Sequence, residues 1–245
     1  ILAGCGDDGP LGGAGEGGAG GNGGAPNLDF EAGGDRPVLV RVPPGYDAAT
    51  PAPLVILLHG YGASGGLEDV YFELSGAALE RGAVFAAPTG TMDTLGRPFW
   101  NATDACCNFD GTDIDDMGYL IGLSEEIAGA VSIDPKRVYF VGHSNGAFMS
   151  HQLACEHADT VAAIAVLAGA LTGDTGLCQP SEPVSVLHIH GELDANTPYQ
   201  GDARIPGARG SVERWAAYDG CAAAPAEGAP FDLAEGPVIR GQLIR

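Results

Sequence analysis

"VYFVGHSNGAF", residues 138–148, decides how this chain is read. An apolar run, residues 138–141, meets Gly142-His143-Ser144-Asn145-Gly146, and a stretch able to wind into a helix follows. G-x-S-x-G carries chemistry only where a strand turns sharply into a helix. That turn lifts the serine hydroxyl clear of the sheet, and glycines admit the close approach. Here the context is the required one: "RVYFVG" (137–142) predicts a buried strand and residues 145–157 predict a helix. Ser144 is therefore the candidate nucleophile, with a structural turn serine as the alternative.

Outward from this turn, strand and helix signals alternate. "VLVRVP" (38–43), "PLVILLHG" (53–60), "AVFAAP" (83–88), "TVAAIAVLAG" (160–169) and "VSVLHIHG" (184–191) predict strands. Residues 70–82, 115–131 and 210–220 predict helices, the second capped by aspartates, and residues 89–112 predict a long loop. Strands alternating with helices predict an α/β fold with a mainly parallel sheet covered on both faces.

The turn also places the helpers. The helix after Ser144 aims its first amides at the reacting centre, so the Asn145 N–H is one candidate oxyanion donor. "LLHGYGASG" ends a buried strand and bends back, making the Tyr61 N–H the second. One such donor is typically worth about 10²–10³ in turnover. His59 and His143 read as structural histidines. The acid should follow a later strand, in the chain order Ser, Asp, His. Asp194, four residues past His190 in "LHIHGELDANTPY", is the candidate, an Asx-turn aspartate being the alternative. Phe99 and Trp100 lie in the long loop, where they would either contact an acyl group or pack the loop.

Composition limits the partners. The net charge is −21, lysine is represented only by Lys136, and the first 26 residues hold only three acids, so the acidity belongs to the rest of the chain. Phosphate binding needs Lys and Arg clusters, which disfavours nucleic acid. No Cys/His set has zinc-finger spacing, and neither a metal nor an organic cofactor is implied. The aspartates at 110, 113, 115 and 116 read as helix-capping groups rather than a calcium loop.

The first residues, "ILAGCGDDG", contain Leu2-Ala3-Gly4-Cys5, which resembles a bacterial lipobox with Cys5 as the lipidated residue. Residues 1–5 then end a lipoprotein signal peptide, residues 6–26 form a flexible Gly-rich linker, and residues 27–245 form the folded domain. Such a protein works outside the cytoplasm, attached to a membrane, where disulfides persist. The other cysteines are Cys106, Cys107, Cys155, Cys178 and Cys221. The first four allow three pairings, with the vicinal Cys106–Cys107 pair the least expected because it strains the peptide between them.

Taken together, "RVPPGYDAATPAPLVILLHGYGASG", "FWNATDACC", "DIDDMGYL", "IDPKRVYFVGHSNGAFMSHQLACE", "VAAIAVLAG" and "HGELDANTPY" resemble extracellular esterases of the polyhydroxybutyrate depolymerase and feruloyl esterase type, which are α/β-hydrolases. The resemblance runs from about Val38 to Cys221 and implies serine-esterase chemistry, with Ser144 as nucleophile and Asp194 as acid. It also implies a triad histidine near the end of the domain, yet none of the six histidines, at 59, 143, 151, 157, 188 and 190, follows Asp194. The expectation is a chain lacking the last strand and the base, with Cys221 left without its partner. Such a piece would be close to inert. Alternatives are a serine peptidase or acyltransferase of the same fold, or a surface lipoprotein that binds without catalysing.

Overall fold

A computed structural model describes residues 27–221 and the short strands at residues 2–3, 231–232 and 240–241. Cys5 and the Gly-rich stretch 6–26 lie outside the described residues.

The elements run β1 (Leu2–Ala3), β2 (Phe30–Ala32), β3 (Val38–Arg41), β4 (Ala52–Leu58), α1 (Gly65–Phe72), α2 (Leu74–Glu80), β5 (Val84–Ala86), β6 (Thr91–Met92), β7 (Pro98–Phe99), α3 (Asp116–Ala130), β8 (Ile133–His143), α4 (Asn145–Glu156), β9 (Ala163–Leu167), β10 (Ser185–Ile189), α5 (Gly207–Tyr218), β11 (Phe231–Asp232) and β12 (Arg240–Gly241). One sheet has the order β1-β10-β9-β8-β4-β5-β3-β2. It is parallel from β10 through β5 and antiparallel at β3, β2 and β1. The mainly parallel α/β architecture is the expected one. The outer edge of β10 pairs with Leu2–Ala3.

β4 reads as a continuous apolar run because both of its faces are buried. Leu54, Ile56 and Leu58 enter a core shared with α3, α4 and α5, while Leu57 packs on the other face with Phe85 and α2. Each such side chain stabilises the fold by about 1.5–3 kcal/mol when fully buried. On that second face a shallow groove lined by Tyr139, Val141, Ala163, Ala165 and Leu187 crosses β8–β10.

Three local readings change. The helix expected over 70–82 is two helices, α1 starting earlier at a Ser64 cap whose hydroxyl accepts from the Leu67 N–H. They break at Glu73, which takes φ 52°, and the Asp69 carboxylate receives the freed Ser75 N–H. The long loop contains the β6–β7 hairpin. Asp115 caps α3 as expected, but Asp116 turns inward and pairs with Arg36 and the Asn101 N–H.

The cysteines also depart from expectation. Cys155 joins Cys178, with an S–S distance of 1.99 Å, tying α4 to the segment before β10. Cys106 joins its neighbour Cys107, the pairing least expected; a cis peptide between them brings their Cα atoms to 3.2 Å and puts both sulfurs on one side. Cys221 is disulfide-bonded rather than free.

Candidate active site

Ser144 is the single residue between β8 and α4, at φ 50° and ψ −114°. A non-glycine residue in this region stores about 1–3 kcal/mol of strain that its surroundings must hold. Those surroundings are visible. A Cβ on Gly142 would lie 2.2 Å from the Gly146 carbonyl oxygen, and one on Gly146 would lie 2.2 Å from that of Leu58. The strand and helix therefore approach as only glycine allows. The Ser144 N–H donates to the Leu167 carbonyl at 2.8 Å, fixing the turn against β9. The hydroxyl is left partly exposed, and among the described residues no histidine is hydrogen-bonded to it.

The Asn145 N–H opens α4, while the Tyr61 N–H lies in the loop after β4. Neither has a partner among the hydrogen bonds of the described residues, which leaves both free to donate to a ligand. The Asn145 side chain is buried and does something else. Its Oδ1 accepts from the Trp100 N–H at 2.7 Å and its Nδ2 donates to the Trp100 carbonyl at 2.9 Å. Two reciprocal bonds thus clamp the start of α4 to the strand end at Trp100.

Trp100 and Phe99 are 0% and 1% exposed. Of the two roles open to them, packing describes their placement, and they offer no face to a substrate here. The Trp100 indole N–H donates to the His59 carbonyl at 3.1 Å, and its ring lies against the His59 imidazole. His59 accepts from the Gly90 N–H at Nε2 and bonds the Gly60 carbonyl through Nδ1. Burial lowers its pKa, so it sits as a neutral brace beneath the Tyr61 loop.

Asp194 follows β10. Its Oδ1 accepts from the Asn196 and Thr197 N–H groups at 2.8 and 2.9 Å, while Oδ2 lies 3.6 Å from His190 Nε2. The Asx turn and a presented carboxylate oxygen therefore coexist in one residue. His190 Nε2 donates to the Thr197 carbonyl at 2.7 Å and closes this loop from below. Only β9 separates β8 from β10, so the strand ends that Ser144 and Asp194 follow lie roughly 10 Å apart.

Each of the six histidines stands apart from a hydrogen bond to the Ser144 hydroxyl. His59 is braced as above, and His143 Nδ1 faces Glu68 at 2.8 Å. His151, His188 and His190 form a buried row: Trp215 donates to His151 Nδ1 at 3.0 Å, and His188 Nε2 and His190 Nδ1 are 3.1 Å apart. Burial lowers the His151 pKa to about 3 and that of His188 to about 2. His157 caps the far end of α4, roughly 18 Å of helix from Ser144.

A polar brace stands beside the Tyr61 loop. Burial alone would raise the Asp93 pKa, but donors from Tyr61, Arg97 and Leu95 outweigh it and bring it down to about 2. The Arg97 guanidinium also covers the Tyr61 ring, with Phe109 edge-on against it. Neither this brace nor Glu68 stood out in the sequence. For Glu68 the available signal was an acid four residues after the Ser64 cap, in a first turn otherwise made of glycine and leucine.

No family model matches the chain. It is 31% identical over 212 residues to feruloyl esterase B of Piromyces equi, covering 82% of this chain and 38% of that protein. To feruloyl esterase C of Emericella nidulans it is 27% identical over 176 residues, covering 69% of this chain and 59% of the relative. The chain therefore spans less than two thirds of the length of either relative. Among solved structures it is similar to a thermostable esterase, with a TM-score of 0.58 and 18% identity over 80% of this chain and 52% of that one. The fold is that of the α/β-hydrolases.

Proposed function

We propose that this chain is the nucleophile-bearing part of a serine carboxylic-ester hydrolase. The observation that carries the reading is the backbone of Ser144: φ 50° and ψ −114° at a glycine-walled strand-to-helix turn, with the Asn145 N–H beside it. The similarity to proteins named feruloyl esterases supports the same class. In the reaction, the Ser144 oxygen attacks the ester carbonyl and its proton passes to an imidazole. The Tyr61 and Asn145 amides hold the oxyanion, the alcohol leaves with that proton, and an acyl-enzyme remains. Water then attacks the acyl carbonyl, giving up a proton to the imidazole, which returns it to the Ser144 oxygen as the acyl–oxygen bond breaks and the acid departs. Asp194 orients that imidazole through Oδ2 and stabilises its charge. In this reading the imidazole belongs to a histidine other than the six here, and the relatives, longer than this chain, are consistent with that. The substrates are polymer-linked or small esters: polyhydroxyalkanoate, or feruloyl or acetyl esters of polysaccharide. The disulfides support work outside the cytoplasm.

The absence of a placed base among the described residues favours one second reading, a surface protein that keeps the fold and binds without catalysing. Assaying the full-length gene product on feruloyl, acetyl and 3-hydroxybutyrate esters separates the two. Hydrolysis that falls at least about 10³-fold in S144A is expected. A product that leaves every ester intact would sink the esterase reading and favour the binding one.

A further inference from the structure

Glu68 is an acid almost sealed from solvent, only 4% exposed, in the first turn of α1. It caps nothing in its own helix. Oε2 accepts from the Gly60 N–H at 3.1 Å, and Oε1 lies 2.8 Å from Nδ1 of His143. Those two partners belong to the two halves of the candidate site. Gly60 precedes Tyr61, and His143 precedes Ser144. The halves also touch: a Cβ built on Gly60 would lie 3.3 Å from His143 Nδ1 and 3.4 Å from the Ser144 Cβ.

We propose that Glu68 is the positioning residue that holds the Tyr61 oxyanion loop in register with the Ser144 turn. This rests on the serine-hydrolase reading above. The peptide joining His59 to Gly60 is gripped from both ends. Its carbonyl accepts the Trp100 indole N–H at 3.1 Å, and its N–H donates to Glu68. That grip sets the plane from which the next amide, that of Tyr61, projects. On the other arm, His143 is held by Glu68 and covered by the Tyr71 ring, stacked at 5.9 Å. A carboxylate suits this place because it accepts on both oxygens at once, and bonds to a charged acceptor are about twice as strong as neutral ones. Oxyanion stabilisation depends on donors placed before charge develops, so a loop free to drift costs turnover rather than substrate binding.

The test is steady-state kinetics of the full-length protein on p-nitrophenyl acetate, with the parent and S144A as reference. Glu68→Ala is expected to lower kcat about 10–100-fold while KM stays within about twofold. Glu68→Gln is expected to recover most of the loss. Its oxygen can accept from Gly60, and its amide can donate to His143 once that ring carries its proton on Nε2. If E68A does not yield folded protein, His143→Ala, which cuts the strut at its more exposed end, carries the same expectation of lowered kcat at retained KM. A Ser144-dependent parent whose E68A and H143A variants keep parental kcat overturns the assignment of Glu68 alone. So does a glutamine variant that folds yet is no more active than E68A. A parent with no Ser144-dependent hydrolysis overturns the esterase reading and this assignment with it.

Discussion

Acid should destabilise this fold through two buried imidazoles, and the amount can be worked out. His151 and His188 are each 1% exposed, with pKa values brought by burial to about 3 and about 2. In the unfolded chain both return to about 6.5. The folded values are depressed, so the stabilising contribution is complete above about pH 6.5 and is lost as pH falls toward the folded values. Between about pH 7 and pH 5 each unfolded imidazole gains most of a proton that its folded counterpart refuses, which costs about 2 kcal/mol each and about 4 kcal/mol together. Domains of this kind have about 5–15 kcal/mol in total, so the loss is large. The substitution to make is His151→Gln, whose oxygen can still accept the Trp215 indole N–H that now reaches His151 at 3.0 Å. Urea unfolding of both proteins at the two pH values should show the variant losing about 2 kcal/mol less than the parent. The many carboxylates shared by both cancel in the difference. Equal losses in parent and variant, or a His151 imidazole titrating near 6.5 by NMR in the folded protein, would refute the reasoning.

Asn145→Ala strands the buried Trp100 N–H, while the Trp100 carbonyl keeps the Ala102 N–H as a donor, so it should cost about 1–3 kcal/mol in urea unfolding; a loss below about 0.5 kcal/mol would mean the clamp is dispensable. Gly146→Ala drives a methyl to 2.2 Å from the Leu58 carbonyl oxygen and should leave little soluble protein, or folded protein without Ser144-dependent hydrolysis. The Cys155–Cys178 bridge closes a sequence separation of 23, which in the chain-entropy model is worth about 3 kcal/mol; thermal melts of the C155A/C178A pair should fall accordingly, and an unchanged midpoint would contradict that model here. Asp93→Asn should remove the part of acid destabilisation that appears between about pH 4 and pH 2, because a carboxylate held at about 2 contributes above its unfolded value and loses that contribution as pH falls; parallel acid-unfolding curves for parent and variant would count against it.

What could be read from the sequence and what could not divide along a physical line. β4, β8 and α4 were legible because each is specified locally, by an apolar run, a glycine pair and a helix-compatible stretch that agree with one another. The Ser144 turn was legible for the same reason, since its requirement for small residues is met within five positions. The α1–α2 break was not, because Glu73 reads as a good helix former. What ends the helix is a side chain, Asp69, taking the Ser75 N–H in place of a backbone carbonyl. Phe99 and Trp100 were ambiguous because aromatic residues in a long loop serve either packing or binding equally well. Only the Asn145 clamp and the His59 carbonyl, 45 and 41 residues away, decide that they turn inward. Glu68 and Asp93 escaped notice for the same cause. Each acts on groups far along the chain or within a turn whose shape cannot be read from composition, and a lone acid in an acidic sequence carries no mark of burial. The residues proposed to carry the chemistry are thus written in short local patterns, while those proposed to hold them in place are specified by contacts between segments. A local glycine-walled turn therefore marks a candidate nucleophile in the sequence, whereas a buried acid such as Glu68, bonded to Gly60 and to the distant His143, becomes visible only once the segments meet.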